Sequence, residues 1–184
     1  MENKKTAILV VDMLNDFVTG ALKCERGQAI VPKTAQLLKQ ARLHGVPVIF
    51  CNDAHLKDID HECKLWGEHA IAGTYGAQVI DELELCPKDY VVPKRRYSGF
   101  FHTDLDLLLR ELGVDTVIMT GLHTHMCVRH TSADAYSLGY RIVVASDATD
   151  SFTEADYQNG IEYLKSVYGA QVFTVDELCA EFTK

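Results

Sequence analysis

Six apolar runs rich in β-branched residues recur along this 184-residue chain. They are Thr6–Val11, Val46–Cys51, Tyr90–Val92, Thr116–Thr120, Arg141–Ala145 and Gln171–Phe173. The longest are apolar almost throughout instead of alternating with polar residues. Side chains of a strand point alternately to opposite faces, so an unbroken apolar run fits a strand covered on both sides. Between the runs lie amphipathic stretches with helical spacing at 31–44, 103–112, 127–138, 153–168 and 176–182. Gly45, Gly113, Gly139 and Gly169 stand where most of them should stop, and Thr103 and Thr153 suit N-caps. Residues 13–29 read as loop. Residues 54–89 are the least regular part, with a short helical piece at 79–85. Strands alternating with helices mean βαβ units, and right-handed crossovers then put helices on both faces. The expected fold is a three-layer α/β/α domain around a six-stranded parallel sheet, one domain spanning 1–184.

Charge narrows the partners. The formal net charge is -8, with acidic residues scattered and not blocked, which argues against nucleic acid or an anionic membrane surface. No apolar run is long enough to span a bilayer, and no leader pattern is seen. The six cysteines show no CxxC pairing. Free thiols in a reducing cytoplasm are therefore expected.

In open parallel sheets ligands bind beyond the carboxyl ends of the strands. Asp12, Asp53, Lys94 and Cys127 all fall at such ends. Cys127 follows the run 117–121 across a four-residue turn, at the start of a helical stretch. Unpaired N–H groups and the helix dipole there favour thiolate over thiol. A nucleophilic thiol needs a base and a stabilising cation, and Asp12 and Lys94 supply both. Taken singly, Cys127 reads as a buried small residue, Asp12 as a loop-start cap and Lys94 as a surface lysine. A second constellation is Asp53-x-His55, Glu62 and His69. The last two are seven apart, two turns along one face if that piece is helical. Such mixed N/O donors suit a divalent ion, zinc first, with manganese or iron as alternatives. The competing reading is a polar lid loop with exposed histidines.

The segments Val10–Phe17, Asn52–His55, Trp66–His69, Lys94–Phe100 and Gly121–Cys127 carry a more specific likeness. Over nearly its whole length the chain resembles the isochorismatase-like cysteine hydrolases, the superfamily of nicotinamidases and N-carbamoylsarcosine amidases. The resemblance implies their Rossmann-like topology, a homo-oligomer and a catalytic triad at Asp12, Lys94 and Cys127. It implies a non-proline cis peptide at Leu122–His123, with the backbone N–H groups of His123 and Cys127 forming an oxyanion hole. Nicotinamidases bind a metal through residues matching Asp53, His55 and His69, some adding a Glu at the position of Glu62. Phe17 and Trp66 match their ring-sandwiching positions. Asp58, His61 and Cys63 stand near enough to replace Glu62. Two departures fall on the nucleophile turn, where His123 replaces the usual Ala and His125 an Asp or Asn. The activity implied is hydrolysis of nicotinamide to nicotinate and ammonia, a reaction of NAD salvage. The alternatives are hydrolysis of an N-carbamoyl or ureido compound, a metallohydrolase in which Cys127 is structural, and a non-catalytic small-molecule-binding module.

Overall fold

The computed structural model describes residues 5–183. Its strands are β1 (Thr6–Val11), β2 (Val48–Asp53), β3 (Tyr90–Lys94), β4 (Thr116–Leu122), β5 (Arg141–Asp150) and β6 (Gln171–Phe173). All pair in parallel, in the order β3-β2-β1-β4-β5-β6. The helices are α1 (Asn15–Val18), α2 (Glu25–Ala29), α3 (Val31–Leu43), α4 (Glu62–Trp66), α5 (Leu105–Glu111), α6 (Arg129–Ser137), α7 (Glu154–Tyr168) and α8 (Val175–Phe182).

The unbroken apolar runs are explained by what covers them. In β1, Ile8 and Val10 pack with Leu37, Leu38, Ala41, Val175 and Leu178 of α3 and α8. Ala7, Leu9 and Val11 point the other way, onto Leu105, Leu109, Ala135 and Leu164 of α5, α6 and α7. The expected three layers are present. The edge strand β3 differs: Val92 and Lys94 are buried while Val91 and Pro93 are exposed. Pro93 is tolerable there because an edge strand has a side without ladder bonds.

From β1 the chain steps outward to β3, then crosses to β4 on the other side of β1. The gap between the carboxyl ends of β1 and β4 is thus the switch point where such sheets take ligands. Gly121 keeps the two strands close there. It pairs with Val11, its φ is +96°, and a Cβ would lie 2.0 Å from the Val11 carbonyl oxygen. Only glycine fits.

Several boundaries depart from the sequence reading. The loop at 13–29 contains α1 and α2, and the helical piece at 79–85 shrinks to a 3-10 turn at Asp81–Leu83. β2 starts at Val48 and runs on to Asp53. β5 extends past its apolar run to Asp150 because an irregularity after Met119 lets Thr149 and Asp150 pair with Gly121 and Leu122. Asp104, not Thr103, precedes α5, although the Thr103 hydroxyl still accepts from the Leu105 N–H. The helix expected from Cys127 begins as a π-helical turn, Thr124–Val128, before α6. The six cysteines are free thiols. Among the described residues no helix is long and apolar enough to cross a membrane.

Candidate active site

The carboxyl ends of β1, β2, β3 and β4 converge on one buried cluster. Asp12 follows β1 directly and takes φ +52°, a left-handed conformation that non-glycine residues adopt at a cost and usually at functional positions. That turn aims its carboxylate sideways at β2, where Oδ1 accepts the Asp53 N–H at 2.7 Å. Lys94, on the inward face of β3, places Nζ 2.7 Å from both Asp12 Oδ2 and Asp53 Oδ1. Cys127 comes from the turn after β4. Its Sγ and one oxygen each of Asp12 and Asp53 lie within 4.8 Å of one another. Asp12, Lys94 and Cys127, far apart in the chain, therefore meet at one point. The peptide bond Leu122–His123 is cis. The His123 carbonyl accepts the N–H groups of Met126 and Val128, on either side of Cys127. α7 packs against this turn at Gly160, where a Cβ would lie 2.9 Å from the His125 nitrogen.

Electrostatics revise the expectation of a resting thiolate. Burial pushes the Cys127 thiol well above its ordinary range; Lys94 opposes this, while Asp12 and Asp53 add to it. The reason is charge count. Two carboxylates and one ammonium already leave the cluster with one net negative charge, and a thiolate would double it. Moving the thiol proton to Asp12 leaves the total unchanged. Asp12 is suited to receive it: burial, helped by Asp53 and opposed by Lys94, raises its carboxyl to about 7. Burial also acts on Asp53, but Lys94 and His55 outweigh it and hold that carboxyl below its ordinary value. Burial works against the Lys94 ammonium, yet Asp12 and Asp53 keep it charged.

Asp53 also belongs to the second constellation. One donor atom each from Asp53, His55 and His69 lie within 4.8 Å of one another, and all three residues are buried. That excludes the exposed-histidine lid. The two rings are held in one tautomer. His69 Nδ1 lies 2.8 Å from the Gly67 carbonyl, which can only accept. His55 Nδ1 lies 3.3 Å from Asp60 Oδ2, a carboxylate the Arg95 guanidinium holds well below the usual range. Each Nδ1 therefore carries a hydrogen, which leaves Nε2 as the nitrogen able to ligate an ion. His55 Nε2 is buried without a hydrogen-bond partner, 3.5 Å from Asp53 Oδ2 and 3.8 Å from Glu62 Oε2. Burial disfavours a charged His55, but Asp53, Glu62 and Asp60 outweigh it and raise its pKa. A buried nitrogen without a partner beside two carboxylates suits a divalent cation in place of the proton they favour, so the residues fit one. Glu62 stands at the rim of this group. α4 ends at Trp66 and Gly67 turns away at φ +80°, so Glu62 and His69 do not share a helix face as the spacing suggested. His61 and Asp58 are exposed and Cys63 is partly so, and none joins the cluster.

Phe17, Trp66, His69, His123, Met126, Cys127 and Phe152 line the cleft over the thiol, together with Asp53 and Glu62. Its free space is about 20 Å³, room for one water. What fills it is His123, stacked on Phe152 at 3.8 Å between ring centroids. Phe152 in turn stacks on Trp66 at 6.4 Å, and the Trp66 indole donates to the Tyr97 hydroxyl at 3.0 Å. Phe17 meets His123 edge-on at 6.2 Å. Both ring nitrogens of His123 are buried without partners, and burial, with His125 adding, lowers its pKa to about 3. His123 is a neutral imidazole offering one donor and one acceptor. His125 turns away from the cleft, with Nδ1 3.0 Å from the Ser151 hydroxyl and Nε2 4.0 Å from Asp156.

Sequence reasoning missed Asp60 and Phe152. Asp60 carried a usable signal, an acidic residue five positions past His55 in a segment already suspected of holding a cation. Phe152 carried none, because its place depends on how far β5 extends.

Comparison with known proteins bears on this cleft. A family model described as an isochorismatase domain matches residues 6–177. The chain superposes on N-carbamoylsarcosine amidase from Thermoplasma acidophilum with TM-score 0.88 and 41% identity, covering 94% of this chain and 97% of that one. Against nicotinamidase/pyrazinamidase PncA from Bacillus subtilis the TM-score is 0.86 at 33% identity, covering 91% and 98%. Against pyrazinamidase of Pyrococcus horikoshii in complex with zinc it is 0.86 at 29% identity, covering 92% and 99%.

Proposed function

The chain belongs to the isochorismatase family, and from that premise we propose a cysteine amidohydrolase in which Asp12, Lys94 and Cys127 carry the chemistry. Its reaction is hydrolysis of a C–N bond outside peptides. The observation that carries the reading is a single buried point where a thiol, a carboxylate of raised pKa and a charged lysine meet.

Asp12 takes the Cys127 proton as the sulfur attacks the amide carbon. The Cys127 and His123 backbone N–H groups face the carbonyl oxygen as it gains charge. Asp12 then gives the proton to the departing nitrogen; the C–N bond breaks, ammonia leaves and a thioester remains. Water next loses a proton to Asp12 and attacks the thioester, and the sulfur departs and recovers that proton. Through the cycle Lys94 remains charged and limits the negative charge the pocket must hold. Asp53, His55 and His69 would hold a divalent cation, with Glu62 at the rim; zinc is the first choice, as in the pyrazinamidase relative. When bound, that ion supplies a Lewis-acidic position for a ring nitrogen or a water.

For the substrate, the donor set beside Cys127 supports a pyridine carboxamide, with nicotinamide as the leading candidate and Phe17 and Trp66 flanking its ring. A ring needs space that His123 now fills, so His123 has to turn off Phe152 to admit it. The same observation favours a second reading. An N-carbamoyl or ureido compound is slimmer and could hydrogen-bond both open nitrogens of His123. Ammonia release from nicotinamide, benzamide and N-carbamoyl amino acids separates the two. Turnover of nicotinamide above both others supports the first reading, and activity confined to carbamoyl compounds replaces it with the second.

A further inference from the structure

Asp60 is a buried carboxylate with no part in the chemistry above, yet it gathers more partners than its neighbours. The Arg95 Nε donates to both of its oxygens at 3.0 Å, and the Leu56 N–H donates to Oδ2 at 2.8 Å. The same Oδ2 faces His55 Nδ1 at 3.3 Å. It lies behind the ring: Nδ1 points to Asp60, and Nε2 points to Asp53 and Glu62. Asp60 therefore cannot ligate an ion held at Nε2. What it can do is decide which nitrogen bears the hydrogen. Arg95 follows Lys94 directly, so one turn of chain at the end of β3 steadies both halves of the cleft. Lys94 serves Asp12 and Asp53, and Arg95 serves Asp60 and through it His55.

The geometry points to Asp60, held by Arg95, as the positioning residue that fixes His55 in its Nδ1–H tautomer and aims Nε2 at a divalent cation. This rests on the reading that Asp53, His55 and His69 bind such an ion. An imidazole free to carry its hydrogen on Nε2 would present a donor, not a lone pair, and could not ligate. A carboxylate behind the ring also raises its basicity. Losing such a partner typically costs 10–100-fold in metal affinity.

The test uses the full chain stripped with chelator and titrated with Zn²⁺ against a chromophoric competitor. Wild type, Asp60→Asn and Arg95→Gln are compared, with ¹⁵N correlation spectra of the histidine rings recorded on the stripped proteins. The expected result is one site in wild type, weaker by about 10–100-fold in Asp60→Asn and by less in Arg95→Gln. At a pH high enough for the ring to be neutral, His55 should carry its hydrogen on Nδ1 in wild type and be mixed in Asp60→Asn. A purely structural Asp60 would lower the melting temperature of stripped and loaded protein alike while leaving Zn²⁺ affinity and the tautomer unchanged, and that result overturns the inference. If wild type itself binds no Zn²⁺, Mn²⁺ or Fe²⁺ at all, the cation reading fails first and takes this inference with it. Should Asp60→Asn not fold, Arg95→Gln decides by the same two readouts.

Discussion

The two halves of the cleft are built from different material. The nucleophile half is Asp12, Lys94 and Cys127, each at or just past the carboxyl end of a parallel strand and each itself buried. The cation half takes one residue from a strand, Asp53, and two from the irregular segment after β2, His55 and His69. In the first half, backbone pairing fixes where each side chain starts. In the second, side chains and turns do that work: Asp60 and Gly67 hold the rings, and the Asp16 carboxylate accepts the Ala70 N–H at 2.8 Å. Asp53 joins the halves by giving one oxygen to Lys94 and facing His55 with the other. A sheet edge is thus enough to assemble a nucleophile, while a cation site needs a loop shaped by its own polar contacts.

The largest effect should come from breaking the strand-built half. Cys127→Ala removes one buried sulfur where Ala fits, so the fold should persist by circular dichroism while turnover falls by ~10⁴-fold or more. Among the six thiols, Cys127 should also be the one whose alkylation by iodoacetamide tracks loss of activity. Near-normal turnover in Cys127→Ala would move the reaction to the other half and favour the metallohydrolase alternative. Next in size is the loop-built half. His55→Ala with His69→Ala should lose the bound ion by elemental analysis without losing the fold. On nicotinamide the loss should be large. The preference for nicotinamide over benzamide, which lacks the ring nitrogen, should shrink from as much as ~10⁴-fold toward parity.

The same contrast sets what could be read from the sequence. Asp12, Lys94 and Cys127 could be brought together before any coordinates because an unbroken apolar run implies a parallel strand, and a parallel strand has a known functional end. The helices α3, α7 and α8 were legible for a similar reason: their apolar spacing and terminal residues agree. The segments 13–29 and 54–89 have no such period. Where α4 stops depends on Gly67 taking a positive φ, and the burial of His55 depends on Asp60 and Arg95, thirty-five residues apart. Cys127 falls in the strand-to-helix turn that the sequence indicates, while burial beside Asp12 and Asp53 works against the thiolate that a helix start favours. Only the packed structure shows how fully the thiol is shut away from water.

A smaller effect probes the link through Asp53. The proposed cycle starts with Asp12 as carboxylate, and its pKa is raised to about 7, so protonation on the acid side would remove the base. In chelator-treated protein kcat/KM should fall about tenfold per pH unit below that point. A cation at Asp53 adds positive charge nearby and favours the carboxylate, so the loaded protein should carry its acid limb to lower pH. Identical profiles with and without metal would separate the halves that Asp53 is argued to join.

The smallest effect concerns His123, which belongs to the strand-built half by its backbone and to the pocket by its ring. Its imidazole stacks on Phe152 at 3.8 Å and meets Phe17 edge-on, in the wall of the cleft that Phe17 and Trp66 also line. His123→Ala keeps the backbone N–H proposed for the oxyanion hole and removes only the ring. It should leave Cys127 alkylation near wild type and open space for a planar substrate. For nicotinamide, admission no longer requires the ring to leave a stacking contact worth ~0.5–1.5 kcal/mol, so kcat/KM should rise by about two- to tenfold. A carbamoyl substrate that hydrogen-bonds both nitrogens should instead lose binding, since removing a partner from a buried polar contact costs ~1–3 kcal/mol. The kcat/KM of the preferred substrate therefore moves in opposite directions under the two substrate readings, up for nicotinamide and down for a carbamoyl compound, and that absolute change separates them. A kcat/KM unchanged by the substitution would mean that the ring lies outside the path of either substrate and that Phe152 alone shapes the mouth.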